Sequence, residues 1–560
     1  MSANSSMKHL PNLLLLLLLF TASSSFAQNV QQHQHLERPK LVIGLMVDQM
    51  RWDYLYRFYD RYKENGFKRL LNEGFSNENT YINHLPTVTA IGHSCVYTGS
   101  VPSITGITGN DFIKEQEGRK TYCTEDTTVN GIGTLGKEGQ MSPRNLLAST
   151  ITDELKLATN FRSKVMGIAF KDRSSILPAG HFADAAYWFN DAGNWITSSY
   201  YQQDLPSWVK QFNQEKRINA YLKDGWNTLY PANTYTQSSP DDNPYEGPMS
   251  GTKHPILPIT AEILEKNGPH IIYSTPFGNT FTLDFAKEAI KREKLGNNPA
   301  RATDFLAISL SSTDAIGHQY GVNALEVEDM YLRLDQDLSS FFQFLDQEIG
   351  AGKYTLFLTA DHGASHNNPF YIDHKGSGGY LDANLLKELN QQLKATFNVD
   401  QLIISFENDQ VHLNHRLLTQ RQLNEPAIRD FIVQYLRKTP GIAFAVDMDK
   451  VGSSSVPLPI RERIINSYNY KCSGVIQLIF DPQWKTGSSH QTGTGHSAWN
   501  PYDAHIPLLW MGWGIPHGSS NDVVSMCDIA PTLAALLHIQ EPNGNVGKPI
   551  RFIDRQVIQH

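Results

Sequence analysis

Four apolar runs along this chain each stop at a charged or metal-binding side chain. They are LVIGLMVD (Leu41 to Asp48), KVMGIAFKDR (Lys164 to Arg173), DFLAISLSSTD (Asp304 to Asp314) and YTLFLTADH (Tyr354 to His362). Runs of this length suit strands buried on both faces, as in a parallel sheet. Between them lie helix-period segments. LEVEDMYLRLDQDLSSFFQFLDQEIG carries apolar residues at three- and four-residue steps and stops at Gly350. Strands alternating with helices predict an α/β fold with an open, mostly parallel sheet. Ligands of such sheets bind beyond the carboxyl ends of the strands. Asp48, Lys171, Arg173, Asp314, Asp361 and His362 fall at those ends. Strand alternation would turn Lys171 and Arg173 to one side and Asp172 to the other.

Two stretches break the alternation. Residues of about 190–300 are rich in Trp, Tyr, Pro and Asn, and read as a cap over the site. Residues of about 375–475 hold helix, hairpin and helix patterns, and read as a small α+β insertion. The N-terminus reads as a signal peptide over residues 1–27: Lys8, the apolar run Leu13 to Phe20, then Ser25-Phe26-Ala27. The run is too short to span a membrane, so no span is expected after cleavage. Residues 28–38 read as a disordered leader, whose His33 and His35 are expected to be solvated. The main domain is then 39–560.

Composition narrows the partners. Of 560 residues, 40% are apolar and 19% charged, and the formal charge is −8, which disfavours nucleic acid as a specific partner. Export implies an oxidising compartment, so Cys95, Cys123, Cys472 and Cys527 are candidates for disulfides, in any of three pairings. None sits in C-x-x-C.

The chemistry lies in the strand ends taken together. STDAIGH places Asp314 and His318 one helical turn apart, so both can face one ion. ADH supplies Asp361 and His362, and a Gly-rich loop, QTGTGHSAWNPYDAHIPLLWMG, supplies His496. With Asp48 the set is three Asp and three His, which suits two borderline cations, zinc above all. His366 and His490 are second-rank candidates. In HLPTVTAIGHSCVYTGSVPSITGITGNDF, Thr87 and Thr89 both precede a helix-compatible stretch. A hydroxyl at a helix N-terminus beside a metal is a nucleophile in waiting. Asn110 has an amide for an anionic oxygen.

These residues resemble the alkaline phosphatase superfamily, on VDQMRWDYL, LPTVTAIGHSCVYTGSVPSITGITGNDF, SSTDAIGHQYG, TADHGA and TGTGHSAWNPYDAHIPL in that order. The nearest resemblance is to the phosphate-irrepressible bacterial alkaline phosphatases, which use threonine as nucleophile. The resemblance implies an alkaline-phosphatase-like α/β fold, with the cap and the small α+β subdomain inserted. It implies two zinc ions per chain, one held by Asp314, His318 and His496. The other is held by Asp48, Asp361 and His362 and touches Thr89, which becomes the nucleophile. Asn110, Lys171 and Arg173 then contact phosphoryl oxygens, and the enzyme is a periplasmic phosphomonoesterase acting on small phosphate monoesters. A nucleotide pyrophosphatase/phosphodiesterase shares the threonine and the six ligands and is the alternative. A Lys-x-Arg pair, adding positive charge for a dianion, favours the monoesterase. A sulfatase is disfavoured because no cysteine stands in C-x-P-x-R or C-x-A-x-R. A metal-dependent phosphoglycerate mutase would use serine in the cytosol. From another class, a secreted binding protein without catalysis is disfavoured by the intact set. Oligomeric state is not legible.

Overall fold

The computed structural model describes residues 36–486 and 492–552. The segment read as a signal peptide, most of that read as a leader, and His490 lie outside the described residues. The compact unit begins at Pro39.

Its frame is an 11-stranded sheet. In chain order the strands are β1 (Leu41–Val47), β2 (Phe75–Tyr81), β3 (Gly131–Ile132), β4 (Val165–Ala169), β5 (Ala185–Phe189), β6 (Trp195–Ser198), β7 (Asp304–Leu310), β8 (Tyr354–Thr359), β9 (His505–Ile506), β10 (Leu508–Gly512) and β11 (Gly518–Ser525). Their spatial order is β9-β2-β10-β8-β1-β7-β4-β5-β6-β3, with β11 also paired to β2. The middle five, β8-β1-β7-β4-β5, are parallel. β10 and β6 join them antiparallel. The apolar runs form the middle of the sheet because both faces there are covered. All seven residues of β1 are buried, and full burial of an aliphatic side chain is worth about 1.5–3 kcal/mol.

Register sets where the site will be. Met46 pairs with Thr359, Val47 with Leu310, and Ala169 with Ser309. The carboxyl ends of β8, β1, β7 and β4 are therefore level, and the residues just past them are delivered to one edge. Four helices matter there: α1 (Thr89–Thr98), α2 (Asp172–Ala179), α3 (Ser312–Tyr320) and α4 (Leu325–Leu345).

The stretch after β6 is mostly short helices and loops, then the helix Phe277–Glu293. Its aromatic residues bind it to the frame: Trp195 stacks on Phe285 at 4.3 Å between ring centroids. Further on, Ile403–Ser405, Gln410–Leu413, Ile442–Asp447 and Ile476–Phe480 make a separate four-stranded sheet. It has its own core, including Leu389, Val411, Ile428, Ile432 and Ile476. His412 and His415 of this unit meet the buried Glu115 at 2.5 and 3.1 Å.

Two expectations are corrected. All four cysteines are free thiols, and Cys95 and Cys527 meet as thiols in the core. A chain this long buries enough surface to be stable without such staples. Lys171 and Arg173 are not neighbours on a strand either. β4 stops at Ala169, Lys171 is the N-cap of α2, and Arg173 lies in that helix's first turn. Asp172 is not turned to solvent; it accepts hydrogen bonds from the Tyr122 and Thr124 hydroxyls, both at 2.6 Å.

Helix α1 presses on the end of β8 at Gly92, where an added Cβ would lie 2.4 Å from the Asp361 carbonyl oxygen. Gly92→Ala is therefore expected to cost about 1–3 kcal/mol of stability by overpacking. It should also lower activity by moving Thr89 or Asp361. A urea titration and an activity assay together check this. Wild-type stability and activity in the variant would show that the helix and strand yield there freely.

Candidate metal centre and active site

Asp48 follows β1 and Asp361-His362 follow β8, and all three are fully buried. Asp314 and His318 lie one turn apart on α3, after β7. His496 arrives on the loop from the small unit. His318 Nε2 is 3.1 Å from Asp314 Oδ1 and 3.3 Å from His496 Nε2, while His496 Nε2 is 3.8 Å from Asp314 Oδ1. His362 Nε2 is 3.7 Å from Asp48 Oδ1 and 3.5 Å from Asp361 Oδ2. Two donor sets thus sit side by side, and the ring of His362 stacks on that of His496 at 3.5 Å. His362 borders both, since Asp314, His362 and His496 also converge within 4.8 Å.

The donor atoms fit cations. Among the described residues, Asp48 Oδ1 and His362 Nε2 are buried without a hydrogen-bond partner, and Asp361 Oδ2 has only the 3.3 Å approach of His93 Nδ1. Such atoms are costly unless something answers them. Each imidazole is also held in one tautomer. Nδ1–H of His318 donates to the Thr494 carbonyl (2.9 Å), that of His362 to Gly363 (3.0 Å), and that of His496 to Thr87 (2.7 Å). A carbonyl can only accept, so the proton is on Nδ1 and the lone pair is on Nε2, facing inward.

Lys171 sits between the sets. Its Nζ donates to Asp48 Oδ2 at 2.7 Å and to Asp314 Oδ2 at 2.6 Å, and is 3.4 Å from Thr89 Oγ1. It uses one oxygen of each carboxylate, and the imidazoles face the other. The lysine and two cations are therefore compatible. Charges move as this geometry requires. Desolvation would lower the Lys171 pKa, but Asp314 and Asp48 raise it on balance. Burial, then Asp361 and Asp314, push Asp48 well above the usual carboxylate range. Burial opposes ionisation of Asp314 too, but His318 and Lys171 hold it well below that range. Burial keeps His362 and His496 below their ordinary value. Desolvation also acts to lower His318, yet Asp314 raises it above its ordinary value.

Thr89 is the first residue of α1, 1% exposed, at the positive end of the helix. The structure separates it from Thr87. The Thr87 hydroxyl donates to the Ala498 carbonyl at 3.0 Å and accepts from Ser497 N–H at 3.2 Å, so it braces the His496 loop. Asn110 Oδ1 accepts from Ala90 N–H at 2.9 Å, which leaves its amine for another acceptor. Arg173 donates Nη1 to the Tyr122 hydroxyl at 3.0 Å and holds a buried Nε with no partner among the described residues. His366 is not in either donor set; its Nδ1 faces Asn323.

Four further residues shape the site. Gln49, in the left-handed region at φ 65°, donates Nε2 to Asp314 Oδ1 (2.7 Å) and its backbone N–H to Asp361 Oδ1 (3.1 Å). His93 donates Nδ1–H to the Thr89 carbonyl at 2.9 Å, lies 3.3 Å from Asp361 Oδ2, and accepts from Ser309 at Nε2. Tyr122 orients Arg173. Tyr273, from the stretch after β6, lies where the charges of Lys171 and Asp314 act on its hydroxyl. The only sequence signals were adjacency for Gln49 and the T-x-x-x-H spacing for His93.

A parallel-sheet edge carrying two Asp/His donor sets beside a threonine at the first position of a helix defines a metal-dependent hydrolase of the alkaline phosphatase superfamily. The chain belongs to the type I phosphodiesterase/nucleotide pyrophosphatase family, whose model matches residues 42–503. It is 58% identical to a protein named calcium-transporting ATPase from Myroides odoratus, over 94% of this chain and 96% of that one. It is 49% identical to alkaline phosphatase PafA of Elizabethkingia meningoseptica, over 93% of this chain and 95% of that one. The crystal structure of wild-type PafA matches with a TM-score of 0.89, covering 92% of this chain and 99% of that one. A PafA variant of known structure carries Thr→Ser, Asn→Ala, Lys→Ala and Arg→Ala changes. These are the residue types of Thr89, Asn110, Lys171 and Arg173, in the same order.

Acid should displace cations from the site. Desolvation opposes it, but Asp314 stabilises the protonated form of His318 and raises its pKa. That stability is full below the ordinary histidine pKa near 6.5 and is lost as pH rises through the higher folded value. Protons therefore compete with a cation at His318 from above the ordinary histidine value, and at His362 and His496 only below it. Metal content and activity measured along a falling pH series should both drop below about pH 6.5. A rate that stays flat down to about pH 4 with all metal retained would contradict this.

Proposed function

We propose that this chain is a zinc-dependent phosphomonoesterase, an alkaline phosphatase, that works through a phosphothreonine on Thr89 after export to the periplasm. The observation that carries the reading is the convergence of six donor residues in two sets, with Thr89 Oγ1 and Lys171 Nζ beside them. Three carboxylates with three imidazoles suit zinc better than magnesium or calcium, which prefer all-oxygen shells. Asp314, His318 and His496 would hold one ion, and Asp48, Asp361 and His362 the other. Two such ions supply Lewis-acid stabilisation of attacking and leaving oxygens and lower the pKa of bound water.

The chain's own residues do the rest. Thr89 Oγ attacks phosphorus, the P–O bond to the leaving group breaks, and the phosphoryl group passes to the threonine. Water then releases it as inorganic phosphate. The N-terminus of α1 favours the anion by its dipole and free N–H groups. Lys171 supplies a point charge to the non-bridging oxygens, Arg173 a planar fork and Asn110 an amide donor. Burial of these groups raises their worth, because the local dielectric is low. A monoester, or the terminal phosphoryl group of ATP, presents one more anionic oxygen than a diester. Lys171 and Arg173 aim positive charge at it. The 49% identity to a protein named an alkaline phosphatase supports the same choice.

Thr89→Ala is expected to abolish most turnover and leave folding intact, while Thr89→Ser keeps substantial activity. Mass spectrometry of acid-quenched enzyme should find phosphate on Thr89; finding it on Thr87 would reverse the assignment.

Lys171→Ala with Arg173→Ala should cut monoester kcat/KM steeply, each contact being worth about 10²–10³-fold. Diester hydrolysis should fall much less. Equal losses would mean that these residues do not set the preference, and a native preference for diesters would favour the phosphodiesterase reading.

A further inference from the structure

One residue joins the two segments that carry His362 and His496. Asp503 lies in the single helical turn Pro501–Ala504, just before β9, and is 1% exposed. Its main chain grips the His362 segment. Gly363 N–H donates to the Asp503 carbonyl at 2.7 Å, and Ala364 N–H donates to the Tyr502 carbonyl at 2.9 Å. The Gly363 carbonyl in turn accepts from His362 Nδ1–H. The two backbones are pressed together here, for a Cβ added at Gly363 would lie 2.3 Å from the Tyr502 carbonyl oxygen. The Asp503 side chain grips the other segment. Its Oδ2 accepts from Ser497 N–H at 3.1 Å and from Ala498 N–H at 2.8 Å, and these are the two residues that follow His496.

That loop needs holding. Ser497 stands at φ 130°, a backbone conformation that L side chains rarely adopt and that persists only where the surroundings impose it. A carboxylate is also costly to bury unless it is answered. Main-chain N–H groups of the His496 loop answer this one, and hydrogen bonds to an ionised acceptor are stronger than neutral ones. Its other oxygen, Oδ1, has no hydrogen-bond partner among the described residues. The buried charge of Asp503 is therefore directed at the loop.

We propose that Asp503 is a positioning residue for the metal centre. Its carboxylate holds His496 where it faces Asp314 and His318, and its carbonyl fixes the same loop to the strand end that bears His362. The inference rests on the zinc reading above. The two grips can be separated, because a change of side chain removes the carboxylate and leaves the main-chain bonds to Gly363.

The test loads full-length enzyme with zinc and titrates it with a chelator of known affinity. D503A should hold one zinc ion about 10–100-fold more weakly than wild type, the scale of a partner lost from behind a ligand, and the other unchanged. D503S, whose hydroxyl is too short to reach both N–H groups, should show the same loss. D503N keeps an oxygen acceptor of the same shape and should recover most of the affinity. Saturating zinc should restore most of the activity of D503A. Asp335 is the control: it too is 1% exposed and accepts two backbone N–H groups, from Lys63 at 2.6 Å and Phe67 at 2.8 Å, but none from the metal centre. D335A should melt lower and bind zinc as wild type does. Unchanged zinc affinity in D503A and D503S would overturn the proposal. So would the same zinc loss in D335A, or no recovery in D503N. Wild-type enzyme that holds fewer than two zinc ions would overturn the zinc reading, and this proposal with it.

Discussion

Three carboxylates, Asp48, Asp314 and Asp361, are buried at one sheet edge, and the local structure is organised around answering their charge. Two unit charges about 4 Å apart interact by roughly 4 kcal/mol at an effective dielectric of 20. An exposed ion pair is worth about 0.2–1 kcal/mol. Repulsion inside the site is therefore too large to be left to solvent. Lys171 answers two of the three with one ammonium. Gln49 adds donors to Asp314 and Asp361, and His93 approaches Asp361 from behind. The oxygens and nitrogens that remain without partners point to where cations would sit.

The same constraint explains why backbone carbonyls matter so much to the site. Each of the three imidazoles is held through Nδ1 by a carbonyl, and this sets both its tautomer and its direction. Those carbonyls belong to Thr494, Gly363 and Thr87, so the direction of each imidazole is set by the main chain. Thr87 has a double part. It holds His496 through its carbonyl, and its hydroxyl braces Ser497 and Ala498. The hydroxyl two residues before Thr89 is thereby committed to holding the loop.

Level strand ends make this arrangement stiff. β8, β1, β7 and β4 are locked in register by parallel pairing, and their side chains are buried on both faces. Asp48 and Asp361, just past their strands, are displaced if the strand slips, and a one-residue slip would turn every side chain of that strand to the opposite face. The helix N-terminus that carries Thr89 is fixed against β8 by the close approach at Gly92. Positioning of this kind is what phosphoryl transfer asks of a protein, since attacking, central and leaving atoms must lie in line.

The apolar runs and the residues that end them were enough to determine the open, mostly parallel sheet and the edge that bears Asp48, Asp314, Asp361 and His362. The reason is that burial on both faces leaves a signature of unbroken apolar residues, and the first polar residue marks the exit. One helical turn from Asp314 to His318 was equally legible, because helical spacing is local. What only the tertiary structure decided was longer in range. Lys171 belongs to both Asp48 and Asp314, over separations of 123 and 143 residues. Arg173 lies on a helix and not on a strand, because β4 ends at Ala169 and the chain turns into α2 there. The cysteines remain thiols in a core large enough to need no cross-link. Tyr122 and Tyr273 had no pattern to mark them, and Gln49 only its adjacency to Asp48, since their surroundings are brought together by the sheet. The family resemblance already favours Thr89 over Thr87; what the fold adds is the place of Thr87, whose hydroxyl is held by a loop more than 400 residues away in the chain.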